Sequence, residues 1–266
     1  QWQGRRGARN DSARVAAGGV HAGEFEVGNN DAIINGMTVL NLPPAIAKIA
    51  PDGNLTIRQR RRIMIEMCLR RQKPGSGSAI EFLRRRTAVN AWPDLRNILK
   101  GIKWVIVGGV ATRAYMPERM TKDMDVLVHE SDGEETIERL TKAGYKITSE
   151  LAVPGYLLHS PEGVELDVIF GDYPWLRRAL EKPEYDMAEY PVLPLPYLVL
   201  MKINASRSQD WTDVSRMLGL ASDEQIAPIR DVMKQHSPDD LADFESLIVL
   251  GRLELQSPSD TRKPAS

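Results

Sequence analysis

A single cysteine, Cys68, stands in this chain of 266 residues, and that scarcity excludes a good deal. One thiol closes no internal disulfide, and no Cys/His cluster is spaced to hold zinc. A reducing, cytoplasmic setting suits such a composition. No run of about 18 apolar residues occurs, so the sequence predicts no transmembrane helix and no membrane partner. The arginines near the N-terminus precede no apolar stretch, so residues 1–36 do not read as a secretory signal. Internal repeats are missing. The five tryptophans are scattered and form no stripe of the kind single-strand binders use for stacking.

What is present is a globular composition. Hydrophobic residues at 42% and charged residues at 27% argue against a disordered chain, and the length suffices to bury one large core or two small ones. Residues 1–53 are expected to be a disordered or irregular extension. Residues 1–36 are rich in Gly, Arg, Ala and Asn without an apolar period. The first methionine is Met37, so they read as an extension ahead of a start at that position, with a functional basic tail as the alternative. Residues 37–53 are apolar but interrupted by Pro43, Pro44 and Pro51.

Net charge is −1, unevenly spread. Residues 54–100 hold 12 Lys and Arg against only Glu66, Glu81 and Asp94, a balance of +9. Residues 1–53 are neutral and residues 101–266 carry −10. This asymmetry fits either a nucleic-acid contact or a solvated helix surface, and the run Arg58–Arg62 reads as a solvated face. The apolar spacing of Ile57, Ile63, Met64, Met67 and Cys68 predicts a helix over residues 55–72. A flexible Lys-Pro-Gly-Ser-Gly-Ser break follows, then a second short basic helix over 79–89.

From Ile102 the pattern changes to that of an α/β (α+β) core with a small mixed sheet flanked by helices. Strands are expected over 103–107, 124–128, 147–151 and 156–159, and again over 164–170, with 152–170 as a hairpin. Helices are expected over 134–143 and 173–180. The C-terminal half is helical, over 195–207, 211–218, 223–235 and 239–255. The domain reading is 54–100 basic helical segment, 101–194 core, 195–255 helical C-terminal part and 256–266 disordered tail.

The chemistry concentrates in Val105-Ile-Val-Gly-Gly-Val-Ala-Thr-Arg113 and Arg119-Met-Thr-Lys-Asp-Met-Asp-Val-Leu-Val128. Asp123 and Asp125 are two apart at the head of an apolar strand, so their side chains share a face. Two adjacent carboxylates repel unless a cation joins them, and hard oxygen ligands favour Mg2+. A third carboxylate is expected, and Asp167 supplies it within Val-Glu-Leu-Asp-Val-Ile-Phe. Glu165 shares its face and competes. Asp167 is preferred because the apolar run continues directly after it, as after Asp125. Gly108 and Gly109 close a strand and open a helix. Lacking Cβ, they let backbone approach a ligand, and the helix start behind them offers N–H groups to phosphate. Arg119 and Thr121 either contact phosphate or shape the loop. His159 reads as a structural histidine.

Gly108-Gly109, thirteen intervening residues and Asp123-Met-Asp125 resemble the signature of the DNA polymerase β-like nucleotidyltransferase superfamily. Arg119-x-Thr121-x-Asp123-x-Asp125 is similar to the branch that includes AbiEii-type toxins and minimal nucleotidyltransferases. Lys202-Ile-Asn-Ala-Ser-Arg207 followed by Asp210-Trp-Thr-Asp213 resembles the lysine, arginine and paired-aspartate helix of that branch, although Gln209 stands where the family often has lysine. The resemblance covers residues 101–218. It implies a nucleotidyltransferase fold, Mg2+ on Asp123, Asp125 and Asp167, and an NTP whose triphosphate lies on Gly108 and Gly109. It also implies that Lys202 reaches the phosphates from the helical half, with Asp210 nearby. Read from the residues alone, Lys202 is a snorkelling surface lysine and Asp210 the N-cap of a helix starting at Trp211. The implied activity is NMP transfer to a hydroxyl, as in a toxin acting on tRNA through the basic 54–100 segment and restrained by a cognate antitoxin. Alternatives are a protein AMP-transferase, an aminoglycoside-type enzyme and a non-catalytic nucleotide-binding regulator.

Overall fold

A computed structural model describes residues 32–34, 37–39, 48, 50, 54–73, 92–117, 119 and 121–255. Most of the residues expected to form an extension, the second basic helix over 79–89 and the tail over 256–266 lie outside them. The chain divides into two compact units, Gln1–Asn54 and Leu55–Ser266. The first contains a short antiparallel pair, β1 (Ala32–Ile34) and β2 (Met37–Val39).

The second unit is built on a seven-stranded mixed sheet. Its strands are β3 (Trp104–Val107), β4 (Asp123–His129), β5 (Lys146–Glu150), β6 (Gly155–His159), β7 (Glu165–Gly171), β8 (Glu184–Tyr185) and β9 (Pro191–Val192), in the order β5-β6-β7-β4-β3-β9-β8. β4 and β7 run parallel, as do β3 and β9, and the other neighbours are antiparallel. All four residues of β3 are buried, as the β-branched run Val-Ile-Val requires of a central strand. β8 and β9 are too short to leave a period in the sequence, and none was expected there.

Helices flank the sheet: α1 (Ile57–Arg71), α2 (Gly108–Ala111), α3 (Gly133–Lys142), α4 (Leu176–Glu181), α5 (Leu195–Ala205), α6 (Ser208–Leu220), α7 (Asp223–His236) and α8 (Leu241–Leu255). Local signals set several of their ends. Thr56 with Gln59 and Ser222 with Gln225 form capping boxes at the starts of α1 and α7. α3 carries Glu134 and Glu135 in its first turn and Arg139 and Lys142 in its last, which complements the helix dipole. α6 and α8 meet in backbone contact. A Cβ on Gly251 would lie 1.8 Å from the Ser215 carbonyl oxygen, and one on Gly219 would lie 2.5 Å from the Gly251 carbonyl. Among the described residues no helix is long and apolar enough to cross a membrane.

The solvated-face reading of Arg58–Arg62 fails at Arg61, whereas Arg58, Arg60 and Arg62 are exposed. Arg61 is 1% exposed and is inserted against the C-terminal helices. Its Nε donates to Asp243 at 2.7 Å, and its Nη1 to the Ile203 carbonyl and Ser206 hydroxyl at 2.8 and 2.6 Å. Its Nη2 pairs with Asp240. Arg58 and Arg62 add rim contacts to Asp240 and Asp243 at 2.7 and 3.1 Å. Part of the +9 charge of residues 54–100 is therefore neutralised by the acidic C-terminal part.

Candidate active site

β4 and β7 place three carboxylates at one end of the sheet. In their parallel register Asp125 faces Asp167, and Asp123 faces Glu165. Oxygens of Asp123, Asp125 and Asp167 lie within 4.8 Å of one another. Glu165 is exposed and approaches His159 at 3.8 Å instead. Burial pushes the Asp125 carboxyl up to about 6, with the Asp123 and Asp167 charges adding to the effect. Burial also raises Asp167, again with help from Asp123 and Glu165. Thr121 Oγ1 donates to Asp123 Oδ1 at 2.7 Å and fixes that side chain.

Gly108 and Gly109 serve this cluster by their lack of side chains. Gly108 has φ +64°, a left-handed value, and a Cβ there would fall 1.8 Å from Asp125 Oδ2 and 2.4 Å from its Cγ. A Cβ on Gly109 would meet Arg119 Nη2 and Thr121 Oγ1 at 3.0 Å. The backbone thus rides directly over Asp125. Gly108→Ala is expected to displace that carboxylate and to strain the backbone by about 1–2 kcal/mol. The expected result is a folded protein whose thermal midpoint no longer rises with added Mg2+. A wild-type Mg2+ response in differential scanning calorimetry would contradict it.

Behind the carboxylates lies a second charged layer. Lys202 is buried, and its Nζ donates to Asp210 at 3.1 Å and Asp213 at 2.8 Å. The surface position read from its sequence surroundings is therefore wrong. Asp210 is not an N-cap either: α6 starts at Ser208, because the chain turns at Ser206 with φ +54°, and Asp210 sits buried in the first turn. Burial pushes the Asp213 carboxyl up, but hydrogen bonds from Arg119 and Lys202 outweigh this and hold it below the usual carboxylate range. Arg119 grips Asp213 through Nε and Nη2 at 2.9 and 3.0 Å, which ties the loop before β4 to α6.

Arg207, not singled out for the site from sequence, is the exposed cation of this layer. Its Nε donates to Asp210 Oδ2 at 2.8 Å while its side chain stays 73% exposed. The Asp210 hydrogen bond, with the Asp125 and Asp123 charges behind it, raises its pKa. Its place directly after the Lys-Ile-Asn-Ala-Ser run was the available signal.

These groups open on a cavity of about 520 Å3. It is lined by Asp125, Asp167, Lys202 and Arg207 together with Ile169, Tyr173, Trp175 and Leu198. Tyr173 stacks on Trp175 at 5.0 Å, and Trp175 on Tyr197 at 4.9 Å. One tryptophan, Trp175, enters this stack between two tyrosines, and no spacing in the sequence announces it.

No family model matches the chain, and no curated protein matches it. Solved structures do. The lincomycin-bound lincosamide antibiotic adenylyltransferase LnuA is similar at 17% identity, over 48% of this chain and 92% of that one, with a TM-score of 0.39. The antibiotic-resistance factor ANT(2'')-Ia is similar at 16% identity, over 59% and 89%, with a TM-score of 0.36. The Cid1 poly(U) polymerase is similar at 12% identity, over 62% of this chain and 46% of that one, with a TM-score of 0.24. At these identities the likeness concerns the fold and assigns no substrate to this chain.

Proposed function

We propose that the chain is a metal-dependent nucleotidyltransferase that moves NMP from an NTP to a hydroxyl acceptor. The observation that carries this is the convergence of Asp123, Asp125 and Asp167 within 4.8 Å at the ends of two parallel strands. Such a cluster repels itself, and the Asp123 and Asp167 charges add to the burial that raises the Asp125 carboxyl. Its all-oxygen donor set fits Mg2+. Asp123, Asp125 and Asp167 would hold the ion, with Thr121 orienting Asp123. Bound there, Mg2+ would neutralise charge on the transferring phosphoryl group and acidify the attacking hydroxyl.

The chain's own groups supply the rest. Gly108 and Gly109 leave room for the triphosphate over the carboxylates. Asp167 accepts the proton of the acceptor hydroxyl, whose oxygen bonds to the α-phosphorus as the bond to the pyrophosphate oxygen breaks. Arg207 stands exposed beside the cluster to receive the departing pyrophosphate. Lys202 acts one layer back, holding Asp210 and Asp213 in place, rather than as a free phosphate ligand. Catalysis of this kind is positioning and charge stabilisation.

For the acceptor, the resemblance to AbiEii-type toxins favours the 3′ end of an RNA, in particular tRNA, with an antitoxin as protein partner. Arg60, Arg70 and Arg71 stay exposed on α1 and support a contact with phosphates. The test is transfer of label from each α-32P-NTP, with Mg2+, into total RNA and total protein, beside an Asp123→Ala/Asp125→Ala variant. Label in RNA that the variant loses is the expected result. Variant-sensitive label in protein would move the acceptor to a protein hydroxyl. Label in neither fraction would remove the RNA acceptor.

A further inference from the structure

The proposed reaction uses the carboxylates and cations that line the cavity and leaves its aromatic and aliphatic lining unexplained. Asp167, Ile169 and Gly171 alternate along β7, so they share a face and form a floor leading away from the carboxylates. From Asp167 to Gly171 this floor runs about 13 Å, four residues at roughly 3.3 Å each. Gly171 ends it: the Tyr173 ring edge lies 3.0 Å from where its Cβ would be. Tyr173 is thus laid against the far end of the floor.

The ring is held firmly. Tyr173 and Trp175 are within 4° of coplanar stacking, and Trp175 and Tyr197 within 11°. Trp175 is 7% exposed, while Tyr173 remains 40% exposed at the cavity. A large aromatic kept open to water is by itself ordinary. One backed by two further rings, in the cavity that holds the carboxylates, is a pre-ordered stacking surface. Leu198 and Met201 of α5 line the same cavity and add apolar surface.

We propose that Tyr173, backed by Trp175 and Tyr197, is the platform on which the nucleobase of the NTP stacks. The inference rests on the nucleotidyltransferase reading, which anchors the triphosphate at the carboxylates. The base then lies about one nucleotide length along the floor, where the aromatic surface stands. Every base has a π-face, so such a platform holds the nucleotide without demanding one base.

The test uses the full chain with Mg2+ and two ligands, ATP and inorganic tripolyphosphate, titrated by calorimetry and by tryptophan fluorescence. Wild type is compared with Tyr173→Ala and Tyr173→Phe. Stacking is worth about 1–3 kcal/mol per base, so Tyr173→Ala is expected to weaken ATP about tenfold or more. Tripolyphosphate binding is expected to stay unchanged, Tyr173→Phe to behave as wild type, and only ATP to alter tryptophan emission. Equal ATP affinity in Tyr173→Ala and wild type would overturn the platform, as would an equal loss for tripolyphosphate. Failure of wild type to bind either ligand would instead strike the NTP-dependent reading itself, and the platform with it.

Discussion

Asp125→Asn is expected to abolish nucleotidyl transfer and, in the absence of metal, to make the protein more stable. On the proposed reading the activity loss should be at least about a thousandfold, since Asn would withdraw one charged ligand from the ion that would neutralise the transferring phosphoryl group. The gain in stability follows from electrostatics. Burial and two like charges push the Asp125 carboxyl up to about 6, above its value of 3.8 in a solvated chain. A group whose pKa is raised by folding binds more protons in the native state, so it penalises the fold at higher pH. The penalty is absent below about pH 4, grows as pH rises through about 6 and is complete at neutrality. About two pH units correspond to a cost on the order of 2–3 kcal/mol, which Asn removes while still able to accept the Gly109 N–H. Chelator-treated wild type and variant should therefore differ at pH 7 and converge toward pH 4 in urea denaturation. Added Mg2+ should raise the wild-type midpoint and not the variant's. A variant less stable than wild type at neutral pH would show that the three carboxylates are already compensated from within the protein.

The carboxylate cluster and the glycine beside it were legible where their logic is local. Asp123 and Asp125 share a face because strand side chains alternate, and Gly108-Gly109 takes its meaning from the β-branched run before it and the Asp-x-Asp strand after it. What escaped depends on partners far away in sequence. Nothing local distinguishes Arg61 from Arg60 or Arg62, because its burial is set by Asp243, 182 positions on. Lys202 looked like a surface lysine because the left-handed turn at Ser206, which swings Asp210 and Asp213 back over it, has no glycine to announce it. Trp175 and Tyr197 stack although an edge of the sheet, β8 and β9, lies between them in sequence. The main strands and helices were legible from apolar periodicity. β9 was not, because two residues carry no period and its burial comes from pairing with β3.

The same long-range charge cluster yields the largest expected effect on stability. Arg61→Ala should cost about 3–5 kcal/mol, because it removes the buried guanidinium that Asp240 and Asp243 share in the interior. Arg58 and Arg62 reach the same carboxylates from the exposed rim, and the Arg58 hydrogen bond to Asp240 at 2.7 Å retains part of its compensation, which places the cost toward the lower end of that range. Arg61→Lys should recover only part of the loss, since one ammonium cannot serve two carboxylates, a carbonyl and a hydroxyl in the geometry of a guanidinium fork. The pH dependence gives the sign. Burial tends to raise the Asp240 carboxyl, but hydrogen bonds from Arg58, Ser237 and Arg61 outweigh it and hold its pKa below the ordinary value. A depressed carboxylate stabilises the fold above its unfolded pKa of about 4 and loses that contribution as pH falls. The gap between wild type and Arg61→Ala should accordingly be widest near neutrality and narrow in acid. Arg61→Met combined with Asp240→Asn and Asp243→Asn should restore much of the lost stability, because neutral partners no longer need the cation. If Arg61→Ala proved as destabilised at pH 4 as at pH 7, packing of the arginine stem, and not charge, would be what fastens α1 to the C-terminal helices.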